Sequence, residues 1–145
     1  MPYTVSKVEM WTGEVEDRVG GLSGKLAALA GAGVDLQVVI ARRQPHVAGR
    51  GVVFLGPVKG AKAQKAAAAA GLTRAANLCA LRVEGPNKAG DCHKVTRLLA
   101  DAGFNLRGLS ATVCGSKYVL ALGFDSEADA DRAAKLLKGA GKGKK

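Results

Sequence analysis

The stretch that decides the fold occurs twice. KVEMWTGEVEDRVGGLSGKLAALAGAGVDLQVVIA at residues 7–41 lies over NLCALRVEGPNKAGDCHKVTRLLADAGFNLRGLSA at residues 77–111, without a gap, at a constant offset of 70. Eight positions are identical: Glu14/Glu84, Gly20/Gly90, Leu29/Leu99, Ala30/Ala100, Ala32/Ala102, Gly33/Gly103, Leu36/Leu106 and Ala41/Ala111. Elsewhere the pairs keep their chemistry: Asp17 with Asn87, Arg18 with Lys88, Val34 with Phe104, Asp35 with Asn105. Self-similarity at one fixed spacing is the mark of a repeated supersecondary unit. Beyond residue 41 the match slips by four, setting GVVFL at 51–55 against KYVLA at 117–121. The first copy therefore carries a longer loop around Arg42–Arg50.

Each copy reads as strand, helix, strand, strand, helix. Residues 5–12 and 78–84 are rich in apolar and β-forming types and run into polar turns. Leu22, Leu26, Leu29 and Ala30 then follow helical spacing, as do Val95, Leu98, Leu99 and Ala102. Gly33 and Gly103 fall where a helix C-terminus needs a positive φ. Strands are expected over Val34–Ala41 and Phe104–Val113, hairpin returns over Val52–Leu55 and Tyr118–Phe124, and second helices over Lys59–Ala70 and Ser126–Lys138. Ser126 is a good N-cap, with Asp129 three residues on. Strands joined through a helix run parallel when they share a sheet, with a right-handed crossover. The pattern predicts an α+β fold: two ferredoxin-like βαββαβ units in tandem, each an antiparallel sheet with its helices packed on one face.

The fourth strand is uneven between the copies. Leu72–Ala76 is long enough for one, whereas the second copy ends in GAGKGKK, without a β-branched or aromatic residue. Either the second unit stops at its helix, or something outside the chain covers that edge. The expected division is residues 1–76, residues 77–138 and a flexible basic tail at 139–145.

Composition excludes several classes. The 145 residues are 48% hydrophobic and 23% charged, which excludes disorder as the main state. No apolar run approaches the roughly 18–20 residues of a membrane span, and no secretory signal opens the chain, so the expected address is cytoplasmic, without membrane association. Cys79, Cys92 and Cys114 are odd in number and lack paired spacing, so reduced, buried thiols are expected, with no disulfide framework, metal site or cofactor. Cys92 aligns with Leu22, an apolar position. No nucleophile–base set or phosphate loop is present, which argues against an enzyme. The net charge of +10 raises a polyanion-binding alternative. Lys59, Lys62, Lys65, Arg74, Lys138, Lys142, Lys144 and Lys145 supply eight of those ten charges, however, leaving the repeated cores nearly neutral. Aromatics are only 4%, too few for base stacking, so nucleic acid is not the expected partner.

The matched turns, Glu16–Gly21 and Pro86–Asp91, share a side-chain carbonyl oxygen (Asp17, Asn87), a cation (Arg18, Lys88), a small apolar residue (Val19, Ala89) and a glycine (Gly20, Gly90). Two readings fit. Asp17 and Asn87 can cap the helices that follow. Alternatively, the turn can hold a free amino acid, its carboxylate at the helix N-terminus and its ammonium on the side-chain oxygen.

The repeated D/N-[RK]-x-G turn, the helix ending in A-G-[VF]-[DN]-L and the hairpin after it resemble the ACT domain, in two tandem copies over about 8–76 and 78–138. The family's turn commonly has proline before the glycine, where this chain has Val19 and Ala89. The resemblance implies a regulatory module that binds amino acids or similar small molecules and pairs side by side, as a homodimer, with ligands between paired units. Carried over, the ligand residues are Asp17, Arg18, Val19, Gly20, Asp35 and Leu36, and Asn87, Lys88, Ala89, Gly90, Asn105 and Leu106. A structural oligomerisation partner of a metabolic enzyme is the remaining alternative, since exposed sheet edges pair readily.

Overall fold

A computed structural model describes residues 3–141. Those residues form six strands and four helices: β1 (Thr4–Glu16), α1 (Gly21–Gly31), β2 (Val38–Arg43), β3 (Arg50–Gly56), α2 (Ala61–Ala69), β4 (Thr73–Pro86), α3 (Asp91–Asp101), β5 (Gly108–Cys114), β6 (Lys117–Phe124) and α4 (Glu127–Gly141). They divide into two compact units, one of Glu9–Ala75 and one joining residues 3–8 to residues 76–141.

In the Glu9–Ala75 unit the strands lie in the order β2-β3-β1-β4, with β3 antiparallel to both β1 and β2. Its core takes Trp11 and Val15 from β1, Val53 and Leu55 from β3, Leu29 from α1, and Ala63 and Ala67 from α2. The strand residues alternate, so both helices cover one face. Ala63 and Ala67, four residues apart, let the alanine-rich α2 lie close to the sheet.

The second unit has the order β1-β4-β6-β5, with β6 antiparallel to β4 and β5. Its core joins Leu81, Val83, Tyr118, Leu120, Leu122 and Phe124 to Val95 and Leu99 of α3 and Ala130, Ala133 and Leu137 of α4. Its fourth strand is the surprise. The tail does not supply it, and neither does another chain: the first residues of β1 do. Tyr3 and Val5 pack on this unit's core, and Lys7 Nζ bridges Glu127 (2.7 Å) and Asp131 (3.0 Å) on α4. Residues 3–8, expected with the first unit, thus group with the second. β1 and β4 each serve both units, and the short strand expected after Gly71 is continuous with the one expected at 78–84.

Three further expectations shift. Strands β2 and β5 begin four residues late, because the segments after Gly33 and Gly103 turn inward, with Val34 and Leu36, and Phe104 and Leu106, against the cores. The hairpin match slips by three residues, not four. Val15 opposite Gly51 is equivalent to Gly85 opposite Tyr118, which aligns buried Val53 and Leu55 with Leu120 and Leu122. A one-residue error flips every side chain to the other face, and the unbroken apolar runs gave no alternation to prevent it. Finally, α4 runs on through Gly141, into the expected tail, whose remaining residues 142–145 lie outside the described residues.

Local signals are realised where they were strongest. Gly33 (φ 72°) and Gly103 (φ 86°) end α1 and α3, with Val34 N–H donating to Leu29 O at 3.1 Å and Phe104 N–H to Leu99 O at 3.0 Å, the six-residue bond of a Schellman close. Asp129 N–H donates to Ser126 Oγ at 3.1 Å, as an N-cap requires.

Candidate functional site

The two turns are built alike. Asp17 N–H donates to Gly49 O (3.0 Å) and Asn87 N–H to Ser116 O (2.9 Å), fixing each turn to the neighbouring hairpin. Gly21 N–H then reaches Arg18 O (3.0 Å), as Asp91 N–H reaches Lys88 O (3.1 Å). The helices start at Gly20 (φ 84°) and Gly90 (φ 87°), and no side chain caps either one. The capping reading of Asp17 and Asn87 therefore fails. A left-handed glycine occupies the cap position, and the first N–H groups of α1 and α3 meet no side-chain acceptor.

The turns differ in what their side chains do. In the first unit Asp17 Oδ1 accepts from Arg43 Nε at 3.1 Å, Arg18 pairs with Glu16, and Arg50 stands 3.5 Å from Glu14. The Arg18 guanidinium holds the Glu16 carboxyl below the usual carboxylate range. Arg18, Gly20, Gly21, Gly24, Lys25 and Arg50 help line a cleft of about 660 Å³. In the second unit neither Lys88 nor Asp91 forms an ion pair among the described residues. Asn87, Lys88, Gly90, Asp91 and Cys92 line a cleft of about 210 Å³ with Ala111, Thr112, Val113, Tyr118 and Leu120.

The remaining carried-over residues lie elsewhere. Asp35 lines a separate cleft of about 420 Å³ with Lys59 and Lys62, and Asn105 is exposed. Leu36 and Leu106 pack against the two cores. Val19 is 99% exposed, and Ala89 is exposed too. In each unit an 11-residue helix separates the turn from the pair that follows it, about 16 Å at 1.5 Å per residue. A single copy therefore presents the turn and the post-helix pair as two groups.

Sequence reasoning missed Lys25 and Arg50 beside the first turn and Thr112 and Tyr118 beside the second. They come from other elements and share no spacing with the turns. Cys92, expected to be buried, is exposed at the start of α3, as is Cys114 at the end of β5, and Cys79 is half-buried. By spacing Cys92 shares the helical face of Val95 and Leu99, but it stands in the first turn of α3, beyond the core and on the wall of the cleft, where it is exposed. Tyr118 is buried at 6% exposure, and burial pushes its hydroxyl well above the usual range. Tyr3 stands near enough to add to that shift, but the geometry gives the hydroxyl no hydrogen bond. Among the described residues no cluster of three His, Cys, Asp or Glu could hold a metal ion, and no helix is long and apolar enough to cross a membrane.

No family model matches the chain, and no curated protein matches it in sequence. Solved structures do match. Protein BT0572 from Bacteroides thetaiotaomicron superimposes with a TM-score of 0.72 at 16% identity, over 92% of this chain and 88% of that one. The ligand-free regulatory subunit of aspartate kinase from Thermus thermophilus gives 0.67 at 12% identity, over 97% of each chain. Aspartate kinase from Clostridium acetobutylicum, an allosteric enzyme, gives 0.62 at 16% identity, over 95% of this chain but 34% of the kinase. At such identities the likeness establishes the fold alone: an α+β arrangement of two ferredoxin-like units, shared with the regulatory subunit of aspartate kinase.

Proposed function

We propose that the chain is a non-catalytic regulatory module that binds a small molecule, by its chemistry an amino acid, and works as a homodimer. The observation that carries this reading is the second turn. There Asn87, Lys88 and the N-terminus of α3 border a cleft of about 210 Å³, and no ion pair among the described residues occupies Lys88 or Asp91. The ligand carboxylate sits against the helix N–H groups and the Lys88 ammonium. Its own ammonium faces Asn87 and the Asp91 carboxylate. The cleft is smaller than the roughly 300–1,000 Å³ typical of drug-sized ligands, which suits a small metabolite. Likeness to a separate regulatory subunit along nearly its whole length supports the absence of a catalytic role.

The polyanion alternative is weakened by the surface. Arg18, Arg43, Arg50, Arg74 and Arg82 each have a carboxylate partner, which reduces the free positive charge those arginines offer a polyanion. Calorimetric titration of the full chain with the twenty amino acids tests the proposal. Heat from at least one, lost in Asn87→Ala and in Lys88→Ala, is expected. Absence of heat from all twenty would refute it.

A further inference from the structure

Three departures from the repeat meet at one place in the second unit. Cys92 stands where the first copy has Leu22, which packs against its own core. Lys88 stands where the first copy has Arg18, which is paired with Glu16. Tyr118, opposite Gly85, takes the position that Gly51 holds opposite Val15. Lys88, Cys92 and Tyr118 all line the cleft of about 210 Å³. A thiol, an ammonium and a phenol thus replace an aliphatic side chain, a paired guanidinium and no side chain at all.

Cys92 is exposed on the wall of that cleft, in the first turn of α3. A second group there lacks a partner. Tyr118 is buried, yet its hydroxyl has no hydrogen bond among the described residues. Gly85 beside it carries no side chain, and a Cβ there would come within 2.8 Å of the Tyr118 hydroxyl, so the ring lies across β4. Asp91 and Cys92 stand near enough to that hydroxyl to act on it electrostatically, which sets it on the Cys92 side of the cleft. A buried hydroxyl left unpaired is costly, and a polar atom held beside Cys92 removes that cost.

We propose that Cys92 is a covalent attachment site for a small amino-acid thiol, taken from its disulfide form and held by Lys88, the N-terminus of α3 and the Tyr118 hydroxyl. This rests on the amino-acid reading of the cleft and names the class of ligand. The carboxylate of one half of the disulfide sits against the Lys88 ammonium and the first N–H groups of α3, which no side chain caps. A cleft of about 210 Å³ admits one such half and leaves the other outside. The Cys92 thiolate then attacks the sulfur of the held half. A new S–S bond forms to Cys92 as the S–S bond of the reagent breaks, and the outer half departs as a thiolate that takes up the proton Cys92 gave up. Cys92 is oxidised, the small disulfide is reduced, and no other reactant is needed.

Attachment changes how the cleft responds. A free amino acid binds and leaves with its concentration, whereas an attached one stays until a thiol reduces the bond. Small thiols run the same exchange in reverse, so occupancy follows the thiol–disulfide balance around the protein. Selectivity comes from where the reagent is held: an anchored carboxylate keeps the disulfide beside Cys92 and raises its effective concentration there. Cys114, exposed at the end of β5 and outside the lining of this cleft, has no such anchor and serves as the reference for an ordinary surface thiol.

The test incubates the reduced full chain with cystine, with glutathione disulfide and with the uncharged hydroxyethyl disulfide, and locates adducts by peptide mass spectrometry. Circular dichroism melting confirms that each variant folds. The quantity read is the Cys92-to-Cys114 rate ratio, divided by the same ratio for the uncharged reagent, which cancels the intrinsic reactivity of each thiol. Cystine should give an enhancement of about tenfold, the worth of one charge-assisted contact. Glutathione disulfide, with halves too large for the cleft, should give none, and Lys88→Ala should abolish the enhancement with cystine. Tyr118→Phe should leave the adduct about threefold easier to reduce, by the loss of one hydrogen bond. No enhancement with cystine, an enhancement that survives Lys88→Ala, an equal one with glutathione disulfide, or an adduct no easier to reduce in Tyr118→Phe overturns the assignment. Heat from an amino acid without the enhancement overturns this site and leaves the proposed function standing. The enhancement without heat from any of the twenty refutes reversible amino-acid binding and leaves the Cys92 site standing.

Discussion

Leu99→Ala is expected to destabilise not only its own unit but also the unit that contains Trp11. Leu99 is 1% exposed, inside the core formed by α3, α4 and the strands of the second unit. Truncating a fully buried leucine removes its transfer free energy and leaves a cavity, costing about 3 kcal/mol within a range of about 2–5. Trp11, the single tryptophan, lies in the core of the Glu9–Ala75 unit and reports on that unit alone. The units are chemically continuous through β1, which gives its first residues to one and Glu9–Glu16 to the other. β4 is divided in the same way. Each of these strands is one continuous piece of chain, so loss of order in one half frays the end of the other half. Urea unfolding followed by Trp11 fluorescence should therefore move to lower urea by about 1.5 M, taking a slope of about 2 kcal/mol per molar. Far-ultraviolet circular dichroism should show the same midpoint. Leu29→Ala, its repeat partner and equally buried, should behave alike. A Trp11 midpoint unchanged in Leu99→Ala, with an earlier partial loss of helix signal, would refute the coupling.

Other perturbations have smaller, signed outcomes. Tyr118→Phe removes a buried hydroxyl that has no hydrogen-bond partner and should stabilise the fold by about 1–2 kcal/mol in thermal unfolding. Because burial raises the Tyr118 pKa above its ordinary 10.0, the wild type keeps that group's contribution below pH 10 and loses it as pH rises beyond. The advantage of the variant should therefore change above pH 10 and stay constant below it; constancy throughout would show the hydroxyl to be solvated. Ser126→Ala deletes the cap of α4 and should cost about 1 kcal/mol, read as a lower melting temperature. Lys7→Ala breaks the bridge to Glu127 and Asp131, but all three side chains are largely exposed. The loss should stay below about 1 kcal/mol and vanish in high salt.

What the sequence disclosed was local. Helical spacing around Leu29 and Leu99, the left-handed glycines after each helix and the Ser126 cap all act within one turn of chain, and all are present. The partner of each strand was not local. Alternation says that residues 5–12 form a strand, but it is silent about which sheet takes their first half. That GAGKGKK supplies no fourth strand was a sound inference, but neither outcome drawn from it holds, because the first residues of β1 fill the place. The hairpin offset went astray for a related reason. GVVFL and KYVLA are apolar on both faces in sequence, and only the pairing of Val15 with Gly51 and Gly85 with Tyr118 fixes which face is buried.

The repeat also concealed a divergence that bears on function. Arg43 and Val113 are equivalent, opposite Gly51 and Tyr118 on corresponding strands. In the first unit that position sends a guanidinium to Asp17 and satisfies the turn from within. In the second it leaves an aliphatic side chain at the rim of the cleft, with Lys88 and Asp91 without an ion pair among the described residues. One substitution thus separates a turn that binds its own chain from a turn open to a ligand. Val113→Arg should impose the first state on the second unit. A guanidinium there would compete for the polar groups of the turn, so amino-acid heat should be lost. Arg43→Val tests the converse: freed of its partner, Asp17 should make the first turn competent, visible as added binding stoichiometry in titration. Retention of the heat in Val113→Arg would show that this position does not control binding.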